Sequence, residues 1–293
     1  MKRRKLYWIN ILLRKKQNKD PMKLIFEPVT HTYKTSENEE FTSVTKLLSM
    51  YKQPFDAPVA AAKASRNMRS KWYGMQPDEI MKVWNKEGER SINLGNWYHD
   101  QRERDLLQCD TISYSNNILK VHGCLYDEEG MKTAPDQKIG DGVYPEFFLY
   151  LPSARIAGQS DRITVSGGRV DILDYKTNKE IKTQGFRNRE GLTQKMLYPL
   201  NHLDDCNLNH YTVQLSIYMY IMLKHNPLYF PGELTLQHIV FEEDYDKDPF
   251  GYPVYLRDEE GNFIIKEIIP YKVPYLKDEV HTLIEHFKET KTK

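Results

Sequence analysis

Cysteine is scarce in this chain: there are three in 293 residues, and Cys109, Cys124 and Cys206 share no C-x-x-C spacing. An odd, scattered set argues against a disulfide framework, a zinc ribbon and a four-cysteine iron-sulfur cluster, and fits a reducing, cytoplasmic compartment. Long apolar runs are also missing. The nearest, Leu6 to Leu13, is interrupted by Asn10 and closed by Arg14 to Lys16. It falls short of the ~18 residues of a membrane span and has no small-residue cleavage site after it. Residues 1–21 therefore read as a basic arm outside the fold, with Met22 as a second start-like residue. Neither charge dominates, because 42 Lys and Arg against 41 Asp and Glu leave +1. A polyanionic partner would have to be met by a local basic patch. What the chain does have is 20 tyrosines, 40 % hydrophobic residues and enough length for a sizeable core.

The patterns suit one α/β domain over 22–293 with a mixed central sheet flanked by helices: a helical lead-in at 22–94, a core at 95–243, and C-terminal strands and a helix at 244–293. Met22 to Val29 and His31 to Lys34 read as a hairpin, and Ser43 or Thr45 caps a helix running to Tyr51. Asp56 caps a second helix with Pro58 in its first turn, and Val59 to Trp72 carries Lys63, Arg66, Arg69 and Lys71, which suit either phosphates or solvent. Pro77 starts a third helix. Glu89 to Leu107, beyond Gly88, reads as a fourth, in which Gly95 and His99 share a face one turn apart. Glu103 follows His99 by another turn, but no H-E-x-x-H spacing exists, which argues against a zincin. Residues 110–142 read as a variable connection with a strand at Ile118 to His122. Val143 to Leu151 is a strong strand in which Glu146, among aromatics, needs a cation or a role in a site. Asn178 to Leu208 reads as a mobile loop over a cleft. A helix opening at Asn209 or Thr212 sets Gln214 and Tyr218 on one face, as core or as site. A strand at Leu234 to Glu243, a loop, a strand at Phe263 to Ile269 and a helix at Tyr275 to Lys288 finish the chain.

Two strand-like runs, Asp161 to Ser166 and Arg169 to Tyr175, flank Gly167-Gly168, a hairpin signal. Folding that hairpin brings Asp161, at the start of one strand, to Asp174 and Lys176, near the end of the other. Alternation puts Asp174 and Lys176 on one face. Two carboxylates and an ammonium at a sheet end are either a salt-bridged hairpin end or the parts of a metal-dependent hydrolytic site.

G-Q-S-D-R-I, twelve residues between Asp161 and Asp174, and then D-Y-K-T resemble the core of the PD-(D/E)XK nuclease superfamily. L-G-N-W-Y-H before it and Q-L-S-I-Y after it resemble the G-x-x-x-H and Q-x-x-x-Y helices of the RecB-like branch, in the family's order from Gly95 to Tyr218. H-T-Y-K and S-V-T-K-L-L resemble the lead-in of its phage-type exonucleases. Ser160 stands where the motif's proline would be, and the second acid is Asp174 rather than Glu. The resemblance implies a restriction-endonuclease-like core and a Mg²⁺- or Mn²⁺-dependent deoxyribonuclease, an exonuclease of recombination, repair or phage replication. The alternatives are an endonuclease of the restriction or junction-resolving kind, and an inactive nucleic-acid-binding module. The implied metal ligands are His99, Asp161, Asp174 and the Tyr175 backbone carbonyl, with Glu146 as an extra acid. Lys176 would orient or deprotonate the attacking water, and Gln214 and Tyr218 would position DNA or support Lys176. The implied partners are DNA ends or single strands and a recombination or single-strand-binding protein, in the host cytoplasm if phage-encoded, with no membrane. Members with an iron-sulfur cluster carry four cysteines, one more than this chain.

Overall fold

The structure, a computed structural model, describes residues 24–27, 32–188 and 190–291. The arm expected over 1–21, and residues 28–31 of the first hairpin, lie outside the described residues. In chain order the sheet begins with β1 (Leu24–Glu27), β2 (Thr32–Thr35) and β3 (Glu40–Ser43), paired antiparallel in sequence. Three helices follow: α1 (Val44–Ser49), α2 (Ala57–Arg66) and α3 (Pro77–Leu107). Next come a separate hairpin of β4 (Thr111–Tyr114) and β5 (Asn117–Lys120), and two short strands, β6 (Leu125–Tyr126) and β7 (Lys132–Thr133), that extend the β1 edge. An antiparallel meander of β8 (Gly142–Leu151), β9 (Ile156–Ser166) and β10 (Arg169–Lys176) forms the centre. Helix α4 (Asn207–His225) then crosses over so that β11 (Phe230–Phe241) lies parallel to β10, as a parallel pair requires. A second separate hairpin, β12 (Glu243–Lys247) with β13 (Pro253–Tyr255), precedes the edge strand β14 (Ile265–Val273) and helix α5 (Lys277–Lys291). The ten-stranded sheet is thus mixed and flanked by helices.

Alternation along β10 shows how the layers are built. Val170 and Ile172 pack into the main core with α4, α5 and α1, whereas Leu173 and Tyr175 pack against Leu94 and Tyr98 of α3. Both faces are covered, so β10 reads as a nearly unbroken buried run. α4 is buried continuously from Thr212 to Met222 except at Gln214, matching its unbroken apolar sequence. At the β9–β10 turn, Gly167 and Gly168 have φ of +59° and +78°, and Ser166 faces Arg169. Two consecutive positive φ values are what a two-residue type I′ hairpin needs and what glycine tolerates.

Several boundaries differ from the sequence reading. α2 stops at Arg66, so Arg69, Lys71 and Trp72 lie beyond it. The four cations therefore do not share one helical face, and Lys71 is drawn to the Phe250 carbonyl and the Tyr252 ring. α3 runs through Gly88 as one helix of 31 residues. A single internal glycine costs only ~1 kcal/mol. Packing holds both halves: Ile80 sits with Ala61 and Trp72, and Leu94 and Tyr98 sit on the sheet. Where it is described, the segment 178–208, expected as a mobile loop over a cleft, is irregular but packed onto the fold. It buries Ile181, Met196 and Leu200, Leu197 donates its N–H to the Tyr51 carbonyl at 2.8 Å, and Asp204 pairs with Lys195 at 2.6 Å. These contacts reach residues far along the chain, so local composition does not reveal them. Among the described residues no helix is long and apolar enough to cross a membrane.

Candidate active site

β9 is paired along one edge with β8, but its other edge is divided. β3 takes Ile156 and Ala157 in parallel, β10 takes Arg162 to Ser166 antiparallel, and the stretch 158–161 between them faces neither strand. Asp161 therefore stands mid-strand, not at the start of β9 as the sequence suggested, because the pairing that begins the strand comes from β3, more than a hundred residues upstream. At this fork the two registers converge. Pro145 faces Arg162 and Phe147 faces Ser160, which sets Glu146 opposite Asp161. Leu173 faces Arg162, so one step further Asp174 comes opposite Asp161. Three carboxylates thus form a row across three adjacent strands where the ladders open.

Glu146 reaches that row through an unusual backbone. Tyr144 and Phe147 are three residues apart yet both pack in the main core, which strict alternation forbids. The reversal falls at Glu146, whose φ is +49°. A left-handed β-strand residue with a side chain costs roughly 1–3 kcal/mol, and such strain collects at functional sites. The Gln159 amide donates to its carboxylate.

α3 brings His99 to the same point. Leu94 and Tyr98 anchor the helix on Leu173, Tyr175, Ile239 and Phe241. A Cβ added at Gly95 would come 3.3 Å from the Thr177 hydroxyl, so the glycine lets the helix approach the end of β10. His99 Nδ1 lies 3.4 Å from Asp161 Oδ1 and 3.6 Å from Glu146 Oε1. One ligand atom from each of His99, Glu146 and Asp161 falls within 4.8 Å of the others. Asp174 stands outside that trio, its Oδ2 drawn to Lys176 Nζ at 2.5 Å. Tyr175 meets the site through its backbone, donating its N–H to Asp161 Oδ2 at 2.6 Å.

Gln214 and Tyr218, one turn apart on α4, face the same cavity and bond to each other at 3.0 Å rather than to Lys176. Lys176 lies instead over the ring of Tyr211, 4.7 Å from its centroid. A Cβ at Gly158 would sit 2.7 Å from the Tyr218 ring, so that glycine makes room for the tyrosine. The cavity, about 1040 Å³, also takes in the start of α1, Glu103 and Lys132. Among the described residues none from 178–208 lines it.

Sequence reasoning missed three contributors. Gln159 sits inside the G-Q-S-D run and was available there. Tyr211 lies one turn before Gln214. Lys132 belongs to the connection 110–142, which carries no local signal; its Nζ is 3.3 Å from Glu103 Oε1, and both line the cavity. Glu103 is thus committed to Lys132, and to the Cys124 thiol at 3.1 Å.

The electrostatics are those of a carboxylate cluster short of cations. Burial alone would depress His99, but Asp161 and Glu146 reverse this and push it up to about 11. Burial raises Glu146 and Asp174 above the usual carboxylate range, with His99 opposing it at Glu146 and Lys176 at Asp174. Asp161 is held below its usual range despite burial, because His99, Lys176 and the Tyr175 N–H favour its anion. Burial would lower Lys176, yet Asp174 and Asp161 raise it. Asp174 Oδ2 is fully buried and finds no donor in hydrogen-bond geometry, its Lys176 contact being an ion pair only. Two acids and an imidazole whose ligand atoms converge, with a third carboxylate beside them, fit a hard divalent cation such as Mg²⁺ or Mn²⁺. No protein-family model matches the chain, and no curated protein matches it.

Proposed function

We propose that this chain is a metal-dependent nuclease with a restriction-endonuclease-like core, acting on DNA. The observation that carries the reading is the carboxylate row Glu146, Asp161 and Asp174 across three strands, with His99 at one end and Lys176 at the other. His99, Glu146 and Asp161 would hold Mg²⁺ or Mn²⁺, with Asp174 and the Tyr175 carbonyl beside them. A divalent cation held there supplies Lewis-acid stabilisation of negative charge on a phosphodiester. Lys176 stays protonated while Asp174 and Asp161 are ionised. It would donate hydrogen bonds to a water or phosphate oxygen and offset charge. Gln214, tied to Tyr218, presents its remaining amide groups to the strand, and Lys132 adds a second cation on the far wall.

The test incubates purified protein with end-labelled single- and double-stranded DNA and with circular DNA, with and without Mg²⁺ or Mn²⁺, beside Asp174→Ala and Lys176→Ala. Metal-dependent shortening of linear substrates that spares closed circles, lost in both variants, is the expected result for an exonuclease. Cleavage of circles supports the endonuclease reading. Undiminished cleavage by both variants, or none by the wild type, would sink the proposal.

A further inference from the structure

A second cavity, of about 830 Å³, lies on the opposite face of α3, between that helix and the segment from β12 through residue 263. Its size falls within the range of small-molecule sites. Trp97 and Phe263 meet edge to face at 5.0 Å, and Tyr255 adjoins Phe263 at 6.4 Å. These half-buried rings form one wall. Guanidinium groups overlie it: Arg257 Cζ is 3.7 Å from the Phe263 centroid and Arg90 Cζ is 5.8 Å from that of Tyr255. Two of the cleft's carboxylates are already occupied. Glu87 forms a two-pronged pair with Arg90 at 2.9 Å, and Asp248 accepts the N–H groups of Phe250 and Tyr252 at 2.9 and 2.7 Å. Arg257 donates one N–H to the Gly261 carbonyl at 2.5 Å but forms no ion pair with a carboxylate among the described residues, and Lys86 and Glu89 line the same cleft.

From this we infer that the cleft binds a nucleotide unit, with its base against the aromatic wall and its phosphate against Arg257 and Lys86. Rings alternating with cationic side chains are the surface that holds single-stranded nucleic acid without reading its sequence. The inference rests on the nuclease reading only for its source, because Trp97 and His99, two residues apart on α3, put the cleft and the carboxylate row on two faces of one helix. A strand leaving the row around α3 would reach it, and so would a free mononucleotide.

The experiment titrates a fluorescein-labelled oligothymidylate into wild-type protein in EDTA, where metal-dependent cleavage cannot occur, and follows anisotropy. Arg257→Ala removes the guanidinium proposed to meet the phosphate, and Val254→Trp, at a 40 % exposed position on the rim, fills the cleft. Each variant is expected to bind about tenfold more weakly, since one stacked base contributes roughly 1–3 kcal/mol. Circular dichroism shows whether each is folded, and Arg257→Ala alone suffices if Val254→Trp is not. A 5-iododeoxyuridine oligonucleotide should crosslink to peptides carrying Trp97, Tyr255 or Phe263. Competition by thymidine monophosphate assigns a free nucleotide as the source; competition by unlabelled oligonucleotide alone assigns the strand. Affinity unchanged in folded Arg257→Ala, with no crosslink in the cleft, overturns the inference. Cleavage is scored separately, so cleavage without cleft binding refutes only the cleft, and cleft binding without cleavage refutes only the nuclease.

Discussion

The two faces of α3 look onto opposite kinds of surface. On one side His99 meets Asp161 and Glu146, with Glu103 and Lys132 a turn away. On the other, Trp97 meets Phe263 and the guanidinium groups that cover the rings beside it. Side chains two apart on a helix point nearly opposite ways, so one helix can wall off a charged cavity from an aromatic one. The charged face keeps ionisable groups out of water, where each costs several kcal/mol unless matched. The aromatic face keeps apolar area half-exposed. Neither arrangement serves stability best.

The largest effect expected on the charged face is on chemistry. Asp161→Asn should lower metal-dependent cleavage at least ~10²-fold, the scale for losing one preorganised electrostatic contact; single-turnover rates on end-labelled DNA measure it. Next is metal binding itself. At about 100-fold over its Kd, Mg²⁺ or Mn²⁺ should stabilise the fold by about 2.7 kcal/mol, raising Tm by roughly 4–5 °C. A thermal-shift titration should show the gain in wild type and little of it in Asp161→Ala. Gly158→Ala forces a methyl against Tyr218 and Val44 and should cost about 1–3 kcal/mol in urea melts, with or without metal.

The smallest effect expected is on pH dependence. The folded pKa of His99 lies above its unfolded value of ~6.5, so its proton stabilises the metal-free fold fully below about pH 6.5 and progressively less as pH rises toward 11. Asp174, pushed up to about 6 by burial, titrates below this window. Tm of metal-free wild type should therefore fall from pH 6.5 to pH 9 more steeply than that of His99→Asn. Equal slopes would show that the histidine is not held by the two acids.

Local chemistry made much of the charged face legible. Gly167-Gly168 announces its hairpin, the hairpin fixes the β9–β10 register, and that register carries Asp161 to Asp174. Helical spacing placed Gly95 with His99 and Gln214 with Tyr218. What the sequence hid depends on partners far along the chain. The β3–β9 pairing moves Asp161 to mid-strand, the reversal at Glu146 breaks an alternation that reads as regular, and Lys132 arrives on a two-residue strand at a distant edge. The aromatic cleft was hidden for the same reason. Trp97 stands in the sequence only as one residue of the L-G-N-W-Y-H run, and its neighbours come from a region that read only as loop and strand.

The left-handed backbone at Glu146 ties foldability against use. At φ +49° a glycine would relieve the strain, so Glu146→Gly should hold or gain stability while emptying the centre of one acid. Sequence drift under selection for folding alone would run toward glycine or asparagine here. The glutamate here holds its carboxylate in the row against the preference of its own backbone.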